Sequence, residues 1–242
     1  MAHVVARAAG CVSGLGAALR VFTLLDDSVE TGALVVDGDI VEAGAILASV
    51  SGPARSLLAG ERVALNLLGH LCGVATATRA LVDRVDGTAA TVIDTRKTTP
   101  LWRQLEKRAV EAGGGRNHRM GLYDAVLIKD NHIQAVGSAE AAVRAAREHV
   151  GDSMKVEVEI ESVDDLEAVI TAGADIVMLD NMPPSEMRKA VESAKGRCLL
   201  EASGGVTLDN IRAVAESGVD LISVGWITHS APALDVALDF EG

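Results

Sequence analysis

The sequence predicts an α/β protein in which an incomplete β/α barrel of about six strands follows a smaller N-terminal α/β domain. Hydrophobic residues make up 49% of the 242 residues and aromatic residues only 2%, so aliphatic side chains must fill the core. From residue 91 onward, short aliphatic runs alternate with helical patterns. The last three runs begin about 22 residues apart, which is typical of a repeated β/α unit with parallel strands.

The six aliphatic runs are the predicted strands, because buried parallel strands are rich in aliphatic residues. They cover residues 91–94, 125–129, 155–160, 176–179, 198–202 and 221–224. The predicted helices between them cover residues 101–112, 139–150, 163–172, 185–194 and 208–217. Ser162 and Thr207 are placed to cap two of these helices, and Gly173 and Gly218 are placed to end two of them.

The first 60 residues lack this rhythm. Asp-Gly and Ala-Gly pairs at 37–38 and 43–44 are typical of turns between short antiparallel strands. A helix rich in small residues is predicted over 61–85. We therefore expect a small domain over residues 1–64 and a barrel over 65–230, with residues 231–242 packed on the small domain.

Charge and cysteine usage restrict the class of protein. The net charge of −12 argues against a nucleic-acid or membrane-surface binder, since both need a basic face. Residues 94–132 nevertheless contain eight Lys or Arg and five Asp or Glu, which favours an anionic small-molecule ligand. The scattered Cys11, Cys72 and Cys198 are interpreted as buried free thiols of a cytoplasmic protein. We expect neither a membrane span nor a leader.

Every predicted strand ends in polar residues or glycine, and active sites of β/α barrels lie at these ends. The strand ends are 94–99 (DTRKTT), 128–132 (IKDNH), the glutamates Glu157, Glu159 and Glu161, then Asp180 with Asn181, 201–205 (EASGG) and Gly225.

Two anionic sites are predicted from these ends. The glycines of 203–205 and Gly225 would let backbone amides approach a phosphate, helped by a following helix N-terminus. A tight turn with a helix cap is the alternative reading. The second site is basic: Arg96, Arg119 and Lys129 can converge there, and arginine grips a planar carboxylate with two hydrogen bonds. Lys97 and His118 lie beside them in sequence.

The strand at 155–160 carries carboxylates on one face, because strand side chains alternate. Near a phosphate site these carboxylates predict Mg²⁺ or ribose hydroxyls as ligands. Glu161 has the alternative role of capping the next helix. His118, His132 and His229 fall in predicted loops, and the six histidines show no zinc-site spacing.

The basic segments resemble the signature of the quinolinate phosphoribosyltransferase family. The matching stretches are 94–100 (DTRKTTP), 113–124 (GGGRNHRMGLYD), 128–132 (IKDNH), 61–66 (ERVALN), 201–205 (EASGG) and 225–232 (GWITHSAP). The resemblance covers nearly the whole chain in order. It implies an N-terminal α/β sandwich, an incomplete β/α barrel, and transfer of phosphoribosyl from phosphoribosyl pyrophosphate to quinolinate. The products would be nicotinate mononucleotide, pyrophosphate and CO₂, with Mg²⁺ as cofactor.

The resemblance also implies residue roles. The residues expected to bind the quinolinate carboxylates are Arg96, His118, Arg119 and Lys129, with Arg62 reaching in from the partner subunit of a homodimer or higher oligomer. Those expected to act on the phosphoribosyl donor are Lys97, Glu159 and Asp180, the last two close to ribose and Mg²⁺, mainly through substrate and water. Those expected around the donor phosphate are Ser203, Gly204, Gly225 and His229.

The chain departs from the family pattern in two places. Family members have some tens of residues before the point where this chain starts, so we expect a sandwich without its usual N-terminal part. Trp226 stands where the family has a small residue. The alternatives are a related pyrophosphorylase of the type associated with molybdenum transport, a nicotinate phosphoribosyltransferase, or an inactive scaffold or sensor of the same fold.

Overall fold

The computed structural model describes residues 1–241, which form two compact units. The first unit comprises Met1–Ala80, Lys97–Gly115 and the chain from Trp226 onward. The second comprises Leu81–Arg96 and Arg116–Gly225. The domain boundaries predicted at residues 64 and 230 are not tested by this division into units and stay a prediction.

The secondary structure alternates along the chain. The strands are β1 (Ala2–Ala6), β2 (Gly10–Cys11), β3 (Glu30–Ala33), β4 (Ile40–Val41), β5 (Ile46–Ser51), β6 (Thr91–Ile93), β7 (Val126–Ile128), β8 (Val156–Ile160), β9 (Ile176–Asp180), β10 (Leu199–Ser203), β11 (Leu221–Ser223) and β12 (Val236–Phe240). The helices are α1 (Leu15–Leu25), α2 (Ala54–Val85), α3 (Arg103–Ala112), α4 (Asp130–Val136), α5 (Ala139–Val150), α6 (Leu166–Thr171), α7 (Pro184–Ala194), α8 (Ile211–Ala215) and α9 (Trp226–His229).

The first unit is built on an antiparallel sheet in the order β12-β1-β5-β3. The C-terminal strand β12 pairs with β1 along its whole length, from Ala2 opposite Phe240 to Ala6 opposite Val236. The core of this unit contains the inward side chains of β1 and β5 together with the apolar face of α1, where Phe22 is fully buried.

Helix α1 was not predicted, and its N-terminus explains why. It begins after Gly14, which offers no side-chain cap. The Asp37 carboxylate accepts hydrogen bonds from the Gly14 and Leu15 amides instead, at 2.9 and 3.2 Å. Because the capping residue comes from a distant turn, the sequence around residue 14 carries no helix-start signal.

The second unit contains the six predicted parallel strands, in the order β6-β11-β10-β9-β8-β7. The prediction of an incomplete six-stranded β/α barrel is confirmed. Strands β6 and β7 follow each other in sequence but lie at opposite edges of the sheet, which leaves the barrel open between them. At the β6 edge, Arg116 forms an isolated parallel bridge with Ile93.

The sheet curls so that its polar face lies inside. On β8, Val156, Val158 and Ile160 are buried on one side, and Glu157 and Glu159 alternate with them. Strands β8 and β10 are separated by β9, so in a flat sheet they would lie about 9.6 Å apart. Carboxylate oxygens of Glu157 and Glu201 nevertheless lie within 4.8 Å of each other. Their side chains therefore converge on the concave face.

Several helices differ from their predicted bounds. Helix α2 begins at Ala54 rather than at residue 61, and α8 begins only at Ile211. The predicted helix 163–172 divides into a short 3₁₀ segment, Val163–Asp165, followed by α6. The predicted glycine ends are confirmed, since Gly173 and Gly218 have φ of 102° and 93°.

Helix α2 is long and apolar enough to cross a membrane by length and composition alone, but 56% of its most apolar window is buried inside the protein. This burial is expected of a core helix. The three cysteines are buried free thiols, as predicted, and burial raises the pKa of Cys72 to about 12.

Leu101, in the turn before α3, has a left-handed φ of 71° and a fully exposed side chain. A leucine in this region is strained by roughly 1–2 kcal/mol, whereas glycine is not. We expect Leu101→Gly to raise the free energy of unfolding by about 0.5–1 kcal/mol, after allowing for the greater entropy of glycine in the unfolded chain. Chemical denaturation measures the change. Leu101→Ala keeps the strain and should give no gain; an equal gain from both variants would contradict this explanation.

Candidate active site

The loop after β6 is fixed by a buried carboxylate at the strand end. Asp94 is fully buried, and its Oδ1 accepts a hydrogen bond from the His118 amide at 2.8 Å. The Asp94 amide donates to the Arg116 carbonyl at 3.1 Å, and the Arg116 amide donates to Val92 at 2.9 Å. The segment 116–118 therefore runs along the open edge of the barrel like an additional strand.

The two ring nitrogens of His118 both contact protein groups. Nδ1 accepts a hydrogen bond from the Arg119 amide at 2.7 Å, so the proton of the neutral ring lies on Nε2. Nε2 lies 2.9 Å from Glu157 Oε2 and 3.7 Å from Glu201 Oε2. Burial lowers the pKa of His118, but the hydrogen bond and charge of Glu157, together with Glu201, raise it above its ordinary value.

Two buried carboxyl groups lie beneath His118 inside the barrel. Glu157 is 1% exposed and Glu201 is 0% exposed. Neither Glu201 oxygen makes a hydrogen bond of good geometry. Burial and the charge of Glu157 raise the pKa of Glu201 to about 8, so Glu201 is a neutral acid at pH 7.

Two guanidinium groups lie close together beside this cluster. Burial, and then the charge of Arg96, lower the pKa of Arg119. Arg119 Nη1 donates to the Ala125 carbonyl at 3.0 Å, while its Nε is buried without a hydrogen-bond partner. A partly buried pair of like charges is stabilised by an anion between them. The structure therefore brings together two of the three predicted clamp residues.

The third clamp residue, Lys129, lies at the end of β7 and is paired with a residue of β8. Lys129 Nζ lies 2.5 Å from Glu159 Oε2. The Lys129 side chain is 48% exposed and that of Glu159 is 13% exposed. Helix α4 starts directly after Lys129, and His132 Nδ1 accepts the Lys129 amide at 2.9 Å. His132, expected in a loop, is thus a capping residue that fixes the backbone of Lys129.

The ends of β9 and β10 are tied to each other. The Asn181 amide donates to the Ser203 carbonyl at 2.9 Å, and Asn181 Nδ2 donates to Asp180 Oδ2 at 2.7 Å. Gly204 has φ of 92°, and a Cβ there would lie 2.2 Å from Asn181 Oδ1. Only glycine fits this close approach.

A pocket of about 400 Å³ opens beside Glu159. Its lining includes the carboxylates of Asp130, Glu159, Glu161 and Asp165. Carboxylate oxygens are the ligands that Mg²⁺ prefers in proteins. Asp180 ends the adjacent strand β9 and is not part of this lining, so the Mg²⁺ expected from the sequence stays a prediction.

Comparisons with known proteins identify the family. The model of the quinolinate phosphoribosyl transferase C-terminal domain matches residues 74–239, and that of the N-terminal domain matches residues 1–72. This chain belongs to the quinolinate phosphoribosyltransferase family.

Individual relatives agree with this assignment. The chain is 45% identical to the probable carboxylating nicotinate-nucleotide pyrophosphorylase of Bacillus subtilis, over 98% of this chain and 82% of that protein. It is 43% identical to the carboxylating nicotinate-nucleotide pyrophosphorylase of Mycobacterium leprae, over 98% of this chain and 84% of that protein. The crystal structure of NadC from Streptococcus pyogenes superposes with a TM-score of 0.95 at 42% identity, covering 99% of this chain and 85% of that chain.

The family's remaining expected site residues belong to the first unit. The Lys97 carbonyl accepts a hydrogen bond from the buried Thr228 hydroxyl at 2.7 Å. His229 ends α9, and its Nδ1 lies 2.6 Å from the Ser230 hydroxyl. The Arg62 side chain on α2 is 74% exposed and lies 3.5 Å from Glu61. Their roles toward substrate stay predictions.

The helix after the predicted phosphate-site glycines starts later than expected. It was predicted from residue 208, but α8 begins at Ile211, six residues after Gly205. The dipole of α8 therefore contributes little at Ser203 and Gly204, since this effect is confined to the first turn. Gly225 does precede a helix, the single turn α9 that starts at Trp226.

The sequence reasoning missed the residue that shapes the Arg119 loop. Asp124 accepts hydrogen bonds from the Met120 and Gly121 amides at 2.5 and 2.9 Å. Burial raises its pKa, but these amides and the charge of Arg119 lower it below the ordinary value. An aspartate three residues after Gly121, in a turn-rich segment, was the available signal.

We expect Asp124→Ala to raise the KM for the anionic substrate expected at Arg119 about tenfold, because the Met120 and Gly121 amides of the loop that carries Arg119 lose their acceptor. The KM of Asp124→Asn should lie between the KM values of wild type and Asp124→Ala. Its single side-chain oxygen can accept one amide, whereas its NH₂ group cannot accept the second. Steady-state kinetics measure the change, with the exposed Asp152→Ala as control. A KM equal to that of wild type for Asp124→Ala would show that Asp124 does not position Arg119.

Proposed function

We propose that this chain transfers the phosphoribosyl group of phosphoribosyl pyrophosphate to quinolinate, with loss of CO₂, giving nicotinate mononucleotide and pyrophosphate. The observation that carries this proposal is the partly buried Arg96–Arg119 pair. Family membership supplies the class of reaction, and the pair supplies the reason for a dianionic acceptor.

The charge of the pocket distinguishes between acceptors. Quinolinate carries two adjacent carboxylates, whereas nicotinate carries one. Two guanidiniums and an ammonium group can grip two planar carboxylates, through bidentate hydrogen bonds from the arginines and a point charge from the lysine. A monocarboxylate can engage only part of this set of cations, so it would gain fewer charge-assisted hydrogen bonds than a dicarboxylate. The pocket therefore favours quinolinate.

The chemistry requires positioning rather than a protein nucleophile. The pyridine nitrogen attacks C1 of the ribose as pyrophosphate leaves, through a transition state with positive charge on the sugar. The pyridinium nitrogen then withdraws electrons from C2, so the carbon–carboxylate bond breaks, its electron pair stays on C2, and CO₂ departs. A proton then replaces the carboxylate at C2. The arginines orient the ring for the first step.

The donor end is proposed on the ends of β8, β9 and β10. Glu159 and Asp180 would hold Mg²⁺, mainly through substrate and water, and contact the ribose. When bound, the ion neutralises charge on the leaving pyrophosphate. Donor contacts are further proposed for Lys97, Ser203, Gly204, Gly225 and His229.

The Lys129–Glu159 pair joins the two proposed subsites. Each partner is expected to contact a different substrate, yet they lie 2.5 Å from each other. Substrate binding must therefore open this pair. Because Lys129 is half exposed, the pair contributes only about 1 kcal/mol and either substrate can displace it.

The alternatives make different demands on the pocket. A pyrophosphorylase of the type associated with molybdenum transport would act on another acceptor and need not bind two carboxylates. A nicotinate phosphoribosyltransferase would need fewer cations. An inactive scaffold would have no reason to keep a partly buried pair of like charges.

We propose a cytoplasmic location, since three buried free thiols suit a reducing compartment.

Product analysis tests the proposed function. The protein is incubated with Mg²⁺, phosphoribosyl pyrophosphate and carboxyl-labelled quinolinate, and nicotinate mononucleotide and CO₂ are measured. We expect equal amounts of both products, and no product when nicotinate replaces quinolinate. Product with nicotinate but none with quinolinate would contradict the proposal.

Arg119→Ala should raise the KM for quinolinate about 100-fold, because the second carboxylate loses its bidentate partner. Arg144→Ala on α5 removes the same charge from an exposed ion pair and serves as the matched control.

We also propose a homodimer, with higher oligomers left open, in which Arg62 reaches the active site of the partner subunit. The exposure of Arg62 on α2 is consistent with this role. Co-expression of Arg62→Ala and Lys129→Ala chains with different tags tests the proposal. Each variant alone should be nearly inactive, whereas purified mixed dimers should contain one intact site in two and recover about half of wild-type activity. Activity no greater than the sum of the two variants would contradict shared sites.

A further inference from the structure

The buried cluster of His118, Glu157 and Glu201 has the geometry of a possible cation site, since their ligand atoms lie within 4.8 Å of one another. The Arg119 amide argues against a metal there. It donates to His118 Nδ1, so the neutral ring carries its proton on Nε2, the atom that faces the glutamates. A protonated nitrogen cannot ligate a metal. The cluster is therefore better suited to holding a proton.

We propose that Glu201 is a positioning residue for the quinolinate pocket: as a neutral acid on the floor of the barrel, it adds no second negative charge beneath His118 and Arg119. This proposal rests on the proposed function, because it concerns the same pocket. It adds a residue of β10 that does not touch the substrate.

The geometry requires one proton for the two carboxyl groups. Both are almost completely buried, and they face each other across β9. Two carboxylates in such a space cannot both ionise near neutral pH. His118 Nε2 lies 2.9 Å from Glu157 Oε2 but 3.7 Å from Glu201 Oε2. Both Glu201 oxygens are buried without a hydrogen bond of good geometry, so Glu201 is the group that holds the shared proton.

The surroundings of Glu201 agree with this assignment. The groups that face it are Glu157 on β8, His118 in the 116–119 segment and the Ser223 hydroxyl on β11. Ser223 is buried, and its hydroxyl lies 3.5 Å from the Ala202 carbonyl. Arg119, whose charge is felt by His118 and Glu157, lies beyond this ring with Arg96 beside it. Ionisation of Glu201 would therefore place a second negative charge close beneath the clamp and weaken its hold on a dianion.

The test compares Glu201→Gln, which imitates the neutral acid, with wild type from pH 6 to pH 9.5. In wild type, the KM for quinolinate should rise about fivefold or more above pH 8, as Glu201 ionises. In Glu201→Gln, the KM for quinolinate should show no such rise between pH 7 and pH 9.5, because the amide cannot ionise. The exposed Glu192→Gln on α7 is the matched control and should keep the wild-type profile.

A second measurement does not depend on activity. A carboxyl group whose pKa is raised on folding stabilises the folded state at low pH, and this contribution is lost between its unfolded and folded pKa values. The Tm of Glu201→Gln should therefore match wild type near pH 5 and exceed it above pH 8. Infrared spectra of wild type should lose one protonated-carboxyl band between pH 7 and 9.5.

Three results would overturn the proposal. They are an unchanged KM rise at high pH in Glu201→Gln, a large KM increase in that variant at pH 7, and wild-type infrared spectra without the titrating carboxyl band. The infrared result stands even if the variant does not fold. If the proposed function alone fails, quinolinate is not turned over but the Tm and infrared results remain as expected.

Discussion

A hydrogen bond between His118 Nε2 and Glu157 Oε2 joins the basic segment at the open edge of the barrel to the inner face of β8. Asp94 holds the same segment from the other side through the His118 amide. Arg119 follows His118 directly, so these two hydrogen bonds of His118 also fix the position from which the Arg119 side chain extends. The segment is held further by its edge pairing with β6 and by the hydrogen bond from Arg119 Nη1 to the Ala125 carbonyl.

The charge arrangement follows from this placement. Anionic and cationic groups alternate across the barrel mouth, with Glu157 beneath Arg119 and Glu159 beside Lys129. The carboxylates reduce the repulsion among the cations and allow them to be partly buried. A neutral Glu201 adds no further negative charge against these cations, so enough positive charge remains for a dianionic ligand. Fixed charges of this kind need no rearrangement when the substrate arrives, which is what electrostatic preorganisation requires.

Much of this arrangement could be predicted from the sequence, because strand periodicity and the polar strand ends are local signals. The cap of α1 by Asp37 could not, since it joins residues distant in sequence. Helix α4 was missed because Asp130-Asn131-His132 is typical of a loop, and the capping role of His132 depends on the Lys129 backbone. The approach of Glu157 to Glu201 depends on the curvature of the sheet across a third strand, which no residue spacing encodes.

The central claim is that the barrel mouth is a dicarboxylate clamp. A crystal structure of the protein with quinolinate bound tests it most directly. We predict that the two carboxylates lie within about 3 Å of the side-chain nitrogens of Arg96, Arg119 and Lys129, with His118 still on Glu157 and the Lys129–Glu159 pair opened. Quinolinate bound with its carboxylates directed away from Arg96 and Arg119 would contradict the account.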